Sequence, residues 1–245
     1  MSEHRTGTRE EWQTARDELA KLEAEQAERN KEIQSKRREL PWVRVEKEYS
    51  FDTENGKKTL AELFEGRSQL LAYNIMFGPD YKGGACPGCT SVGDGLEGSL
   101  VHLNHRDVTV LCFSRAPIDR LSAYKRRMGW DFPYVSTYNT DFAFDFGLAL
   151  TEERAAQKPE VKQMIESPPD FLKDWSRQTG VDIKVGLREN PSWISFAREN
   201  GHVYHTYTVS APDPFVAPYF NFLLERTPNG VPSDLSAWRK DEYPD

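Results

Sequence analysis

Two of the three cysteines in this 245-residue chain, Cys86 and Cys89, are separated only by Pro87 and Gly88. A C-x-x-C pair between a buried strand and a helix can do thiol chemistry. The first cysteine then stands where unsatisfied backbone N–H groups and the helix dipole favour an anion, so its thiolate is stabilised. Cys86 is therefore the expected nucleophile. Cys89, about one turn later, can attack a mixed disulfide on Cys86 from a shielded position and is the expected resolving thiol. Pro87 pre-sets a helical dihedral beside the nucleophile and joins the expected substrate-contacting residues, while Gly88 adds neither charge nor bulk. The dipeptide between such cysteines tunes their potential over roughly −270 to −120 mV.

The same spacing is also half of a zinc site, which would need a second close pair. The remaining cysteine, Cys112, lies in the apolar run Val110-Leu111-Cys112-Phe113 and reads as an inert core thiol. His102 and His105 fall at the far end of the helix that follows the pair. No metal and no organic cofactor is expected.

The elements needed to position the cysteines can be read around them. Gln69 to Phe77 is almost continuously apolar, the pattern of a strand buried on both faces, and Val108 to Ser114 is a second. With a helix from the cysteines to about His105 between them, they imply a right-handed crossover and a parallel pair. Pro117 opens a helix over Ile118 to Met128. Trp193 to Arg198 and His202 to Thr208 flank Asn200-Gly201, a strong hairpin signal. Upstream, Val43, Val45 and Tyr49 to Phe51 look extended, Asp52 to Gly56 looks like a turn, and Thr59 to Gly66 a short capped helix.

These elements give an α/β, thioredoxin-like fold: a mixed sheet flanked by helices. Such a fold places a cis-proline opposite the C-x-x-C at the start of the terminal hairpin. Pro191, just before Ser192-Trp193, holds that position and is an expected substrate contact. Trp130, with Phe132 and Tyr134, is a further candidate for lining a substrate groove. The domain is expected over residues 42–224, with an inserted cap at about 129–190 that contains helices near Glu160 to Met164 and Phe171 to Thr179. A last helix is expected around Phe215 to Leu224, then a polar tail over 225–245.

Residues 1–41 form a charged arm. From Arg9 to Arg38 there is neither Gly nor Pro, and strong helix formers dominate. Such a helix runs roughly 45 Å. Trp12, Ala15, Leu19, Leu22, Gln26, Arg29 and Ile33 follow coiled-coil spacing, but the stripe turns polar midway. It reads as a solvated arm, with homodimerisation through it as the alternative. Pro41 ends the helix.

The formal net charge of −7 supplies no field for nucleic acid or anionic lipid. The first residues lack the apolar core of a signal peptide, and no apolar run approaches membrane-spanning length. The expected location is cytoplasmic. There, so few cysteines suggest chemistry rather than a disulfide framework.

The stretch Tyr49 through Phe77, with Gly56, Leu60 to Phe64 and Gly66, resembles the opening of the peroxiredoxin and thioredoxin-like superfamily. Leu40 to Val45, Met76 to Asp80, Cys86 to Cys89, Ser114 to Pro117, Arg127 to Trp130 and Phe144 to Gly147 more closely resemble a bacterial domain-of-unknown-function family described as predicted dithiol-disulfide oxidoreductases. The resemblance runs from the N-terminal helix to about Leu224. It implies a thioredoxin-like fold and exchange of a Cys86-Cys89 dithiol with a protein or low-molecular-weight disulfide or thiol. Two other readings remain: a peroxiredoxin-like thiol peroxidase, and a redox-inactive thioredoxin-fold binding protein. Peroxidatic chemistry wants a Thr three residues before its cysteine, where this chain has Gly83, and a nearby Arg, for which Arg115 is available.

Overall fold

The computed structural model describes residues 5–211, 216, 218–232 and 237–243. The chain divides into two units, Met1–Pro41 and Trp42–Asp245. The first is one helix, α1 (Arg9–Arg38). Thr8 and Glu11 close a reciprocal cap: the Thr8 hydroxyl accepts the Glu11 N–H at 3.2 Å and the Glu11 carboxylate accepts the Thr8 N–H at 2.7 Å. Glu10 and Glu11 in the first turn, and Lys36, Arg37 and Arg38 in the last, complement the helix dipole. Trp12, Leu19, Leu22 and Ile33 are exposed along it.

In the second unit the chain runs through β1 (Val43–Arg44), β2 (Ser50–Thr53), β3 (Gly56–Thr59), a 3-10 turn at Glu62–Phe64, β4 (Gln69–Asn74), α2 (Pro87–Glu97), α3 (Leu100–Asn104), β5 (Val108–Ser114) and α4 (Ile118–Met128). It continues through β6 (Tyr134–Ser136), α5 (Phe142–Asp145), α6 (Glu152–Gln157), α7 (Pro159–Glu166), α8 (Asp170–Thr179) and α9 (Ile183–Gly186). The hairpin β7 (Ser192–Glu199) and β8 (His202–Ser210) follows, then α10 (Tyr219–Leu224).

The strands make one sheet in the order β1-β8-β7-β4-β5-β6-β2-β3. β4 lies between parallel β5 and antiparallel β7. A β4-α2-β5 crossover beside an antiparallel β7-β8 hairpin is the thioredoxin-like arrangement. Asn200 and Gly201 both take positive φ, 51° and 79°, as the two-residue turn requires.

Alternation along the central strands builds two cores. Leu70 and Ala72 of β4, Leu111 and Phe113 of β5, and Ile194 and Phe196 of β7 pack on one face with Phe51, Phe64 and Phe142. Tyr73, Val110, Cys112 and Trp193 point to the other face, where the cysteine helix lies. The continuous apolar runs thus serve two cores at once.

Several elements differ from the sequence expectation. Thr59 ends β3, and its N–H and hydroxyl donate to the Glu62 carboxylate at 2.7 and 2.9 Å, but the capped helix is only a 3-10 turn ended by positive φ at Glu65 and Gly66. The helix after the cysteines breaks near Gly98, dividing α2 from α3. Part of segment 129–190 belongs to the sheet, because β6 pairs in parallel with β5. Phe215 lies outside the described residues, and the last helix begins at Tyr219. Residues 237–243 of the expected tail pack back on the domain through Arg239.

Candidate active site

Cys86 caps the N-terminus of α2 and Pro87 is its first residue. The Cys86 carbonyl accepts both the N–H and the hydroxyl of Thr90 at 2.9 Å, and the Thr90 hydroxyl also meets Tyr124 Oη at 2.7 Å. Met76, just beyond β4, touches both cysteines through its backbone. Its carbonyl accepts the Cys86 N–H at 2.9 Å, and its N–H faces the Cys89 sulfur. The end of β4 therefore fixes the spacing of the pair.

The two sulfurs have opposite electrostatics. Donation from the Cys89 thiol lowers the Cys86 pKa to about 7, aided by the backbone N–H groups of Cys89 and Gly88 and by the Trp175 indole, against the opposing effect of burial. Burial raises Cys89 well above the ordinary thiol range, and the adjacent Cys86 charge adds to it. The Tyr73 hydroxyl favours the charged form of Cys89 and partly offsets that rise. Trp175 thus favours the charged form of Cys86, and Tyr73 that of Cys89. All three cysteines are free thiols and buried. Cys112 faces Tyr73 across the β4-β5 pair, and burial pushes its pKa well up.

Trp175 reaches the site from α8 in the cap. It leans on Gly186, where an added Cβ would lie 2.0 Å from the indole ring, so only glycine fits there. Tyr81 braces Trp175 edge-on with ring centroids 5.8 Å apart. The loop between β4 and α2 is held by two arginines. Arg120 donates to the carbonyls of Pro79, at 2.8 Å, and Tyr81. Arg239 donates from Nε and Nη2 to the Ala85 carbonyl at 3.1 and 2.6 Å. The residue before the nucleophile is thereby locked from the far end of the chain.

The β4-β7 register pairs Asn74 with Ser192, so Pro191 lies one step beyond the paired strands, at the end of β4 that leads to Met76. Its carbonyl accepts the Ala211 N–H at 3.2 Å. Trp130 lies behind α2, not along a groove. It is 3% exposed, stacks on Phe132 at 4.9 Å and donates from its indole to Asp94 at 2.8 Å. Tyr134 is buried beside it and meets Ser114 Oγ at 2.7 Å.

Arg115 is engaged with Glu189 at 2.7 Å and lies over the Phe144 ring. Burial raises the Glu189 pKa despite that partner. A polar cavity of about 400 Å³ lies beside Arg115, lined also by Thr137, Asn139, Thr140, Asp141 and Phe144. Asn74 donates from one amide to the carbonyls of Leu148 and Asn190 at 3.1 and 2.8 Å, joining both ends of segment 148–190 to the sheet. Among the described residues, no group of three or more His, Cys, Asp or Glu side chains could hold a metal ion, and no helix is long and apolar enough to cross a membrane.

Trp175, Tyr73 and Arg239 are site residues that sequence reasoning missed. Tyr73 could have been found, since it is the polar-tipped aromatic in the strand leading to the cysteines. Trp175 and Arg239 carry no local signal.

Similar solved structures include peroxiredoxin Q of Xanthomonas campestris, with TM-score 0.44 and 15% identity over 66% of this chain and 79% of the other. The peroxidoxin BcpB of Mycobacterium tuberculosis has TM-score 0.45 and 10% identity over 70% and 84%. A yeast mitochondrial 1-Cys peroxiredoxin has TM-score 0.43 and 11% identity over 71% and 68%. No curated protein matches the sequence. The family described as bacterial protein of unknown function, DUF899, matches residues 1–243, nearly the whole sequence that folds into the two units above, and the chain belongs to that family.

Proposed function

We propose that the chain is a thiol:disulfide oxidoreductase working through Cys86 and Cys89 in a reducing compartment. The observation that carries this reading is the placement of the pair, with Cys86 capping the N-terminus of α2 and bonded to the end of β4, and Cys89 buried one turn into the helix. The lowered Cys86 and raised Cys89 pKa agree with it. The Cys86 thiolate attacks one sulfur of a substrate disulfide. A Cys86-substrate bond forms, the substrate S–S bond breaks, and the departing thiolate takes up a proton. Cys89 then loses its proton, assisted by Tyr73, and attacks the Cys86 sulfur, releasing the second substrate thiolate, which is protonated in turn. Two electrons pass from the dithiol to the substrate, and the reverse sequence oxidises a dithiol.

Thiol peroxidase chemistry is the rival. Gly83 supplies no hydroxyl three residues before Cys86, and Arg115 is already paired with Glu189. A redox titration with mass-spectrometric mapping tests the proposal. An intramolecular Cys86-Cys89 disulfide with Cys112 free is expected. Rapid peroxide turnover that survives Cys89→Ser would favour the peroxidase, and a pair that never oxidises would favour a binding protein.

A further inference from the structure

Cys86 is 8% exposed, although the proposed reaction begins there. The cap over it is attached to the same loop that carries the cysteines. Gly83 N–H donates to the Thr179 carbonyl at 2.8 Å, and Arg239 joins the Gln178 carbonyl, at 3.3 Å, to Ala85. The loop runs so close beneath α8 that a Cβ at Gly83 would stand 2.3 Å from the Gln178 carbonyl oxygen. Trp175, wedged between Gly186 and Tyr81, directs its indole at the Cys86 sulfur from that helix.

A disulfide in a folded protein brings two backbones, their Cα atoms usually about 5.5–6 Å apart, close to its sulfurs. Attack on it needs an open rim around the nucleophile, and α8 packs against the loop that leads into Cys86. The geometry points to a low-molecular-weight disulfide as the substrate of Cys86, with Trp175 as the residue that excludes folded protein disulfides. This rests on the exchange reading proposed above and narrows its substrate class. A small disulfide needs only the space of its own sulfur substituents beside the indole.

The test uses the reduced full-length protein in single turnover with bis(2-hydroxyethyl) disulfide or insulin as the only oxidant. With the small probe, each Cys86-Cys89 disulfide formed yields two molecules of 2-mercaptoethanol, which carry away the two electrons and two protons. Because exchange rates depend on access to the thiolate, oxidation per disulfide is expected to be at least ~100-fold faster with the small probe. Trp175→Ala should raise the insulin rate at least ~10-fold by opening that access. Trp175→Phe keeps the bulk without the N–H, so it should still exclude insulin while the pH profile of the small-probe reaction moves to higher pH. Comparable wild-type rates with both probes, or no gain with insulin in a folded Trp175→Ala protein, would overturn the substrate class and leave the exchange reading intact. If neither probe oxidises Cys86, the exchange reading itself falls.

Discussion

Arg239 and Ala85, 154 positions apart, are joined by two hydrogen bonds from one guanidinium to the carbonyl that precedes Cys86. Arg239 is 1% exposed, and its Nη1 meets Glu242 at 2.7 Å. The contact orders both the C-terminal segment and the entrance to α2. Hydrogen bonds to a charged donor contribute about 1.5–3 kcal/mol, so Arg239→Ala should lower unfolding stability by about 2 kcal/mol or more. Urea denaturation of the reduced protein measures this. Arg239→Lys, which keeps the charge but loses the fork, should fall between the two.

The pair should alkylate asymmetrically. With Cys86 lowered to about 7, its reaction with iodoacetamide should rise with a midpoint near that pH, while Cys89 and Cys112 lag far behind. The same shift sets a stability slope. Between the folded value and an unfolded value of about 8.5, the unfolded state binds more protons at Cys86, so this group contributes stability that rises with pH. Its contribution is full above the unfolded value and is lost as pH falls through about 7. Urea midpoints of reduced protein across this window, compared with Cys86→Ser, check both sign and position.

Cys89→Ser should accumulate a mixed disulfide at Cys86, and Cys86→Ser should accumulate none. The first variant keeps Cys86 at the start of α2, with a hydroxyl in place of the donating thiol, and loses its resolving partner, whereas the second leaves a thiol whose pKa burial holds high. Mass spectrometry after exposure to bis(2-hydroxyethyl) disulfide gives the answer. Equal trapping by both variants would reverse the assigned roles.

Tyr73→Phe should slow resolution more than capture. The Tyr73 hydroxyl favours the charged form of Cys89, the form that must develop before the second attack. At about 1.5–3 kcal/mol for a hydrogen bond to a charged group, the mixed disulfide should persist roughly 10- to 100-fold longer. Stopped-flow separation of the two steps tests this. An unchanged lifetime would leave Tyr73 with only a packing role.

The parts of the fold visible in the sequence are those whose signal is local. β5 and α4 occupy Val108–Ser114 and Ile118–Met128, where a continuous apolar run and a proline-led helix are expected. Cys86 and Cys89 stand together because three positions span about one helical turn. β6 has only three residues, too few to display a period, and it was hidden within the expected cap. Trp130 shows why an aromatic cluster in the sequence does not identify the face it serves. It lies near the cysteine helix, but on the side where Asp94 captures its indole. Trp175 and Arg239 meet the site through long-range packing, and nothing in their neighbouring residues marks that destination.

The Asn74 side chain closes the excursion between Leu148 and Asn190 as a loop on a fixed base. Doubling the length of a flexible loop costs only about 0.6 kcal/mol in closure entropy. Insertions or deletions between those two anchors can therefore reshape the roof over Cys86 without moving the strands beneath it. Variation in substrate preference among relatives should concentrate in this segment, while the spacing of the sulfurs stays constant.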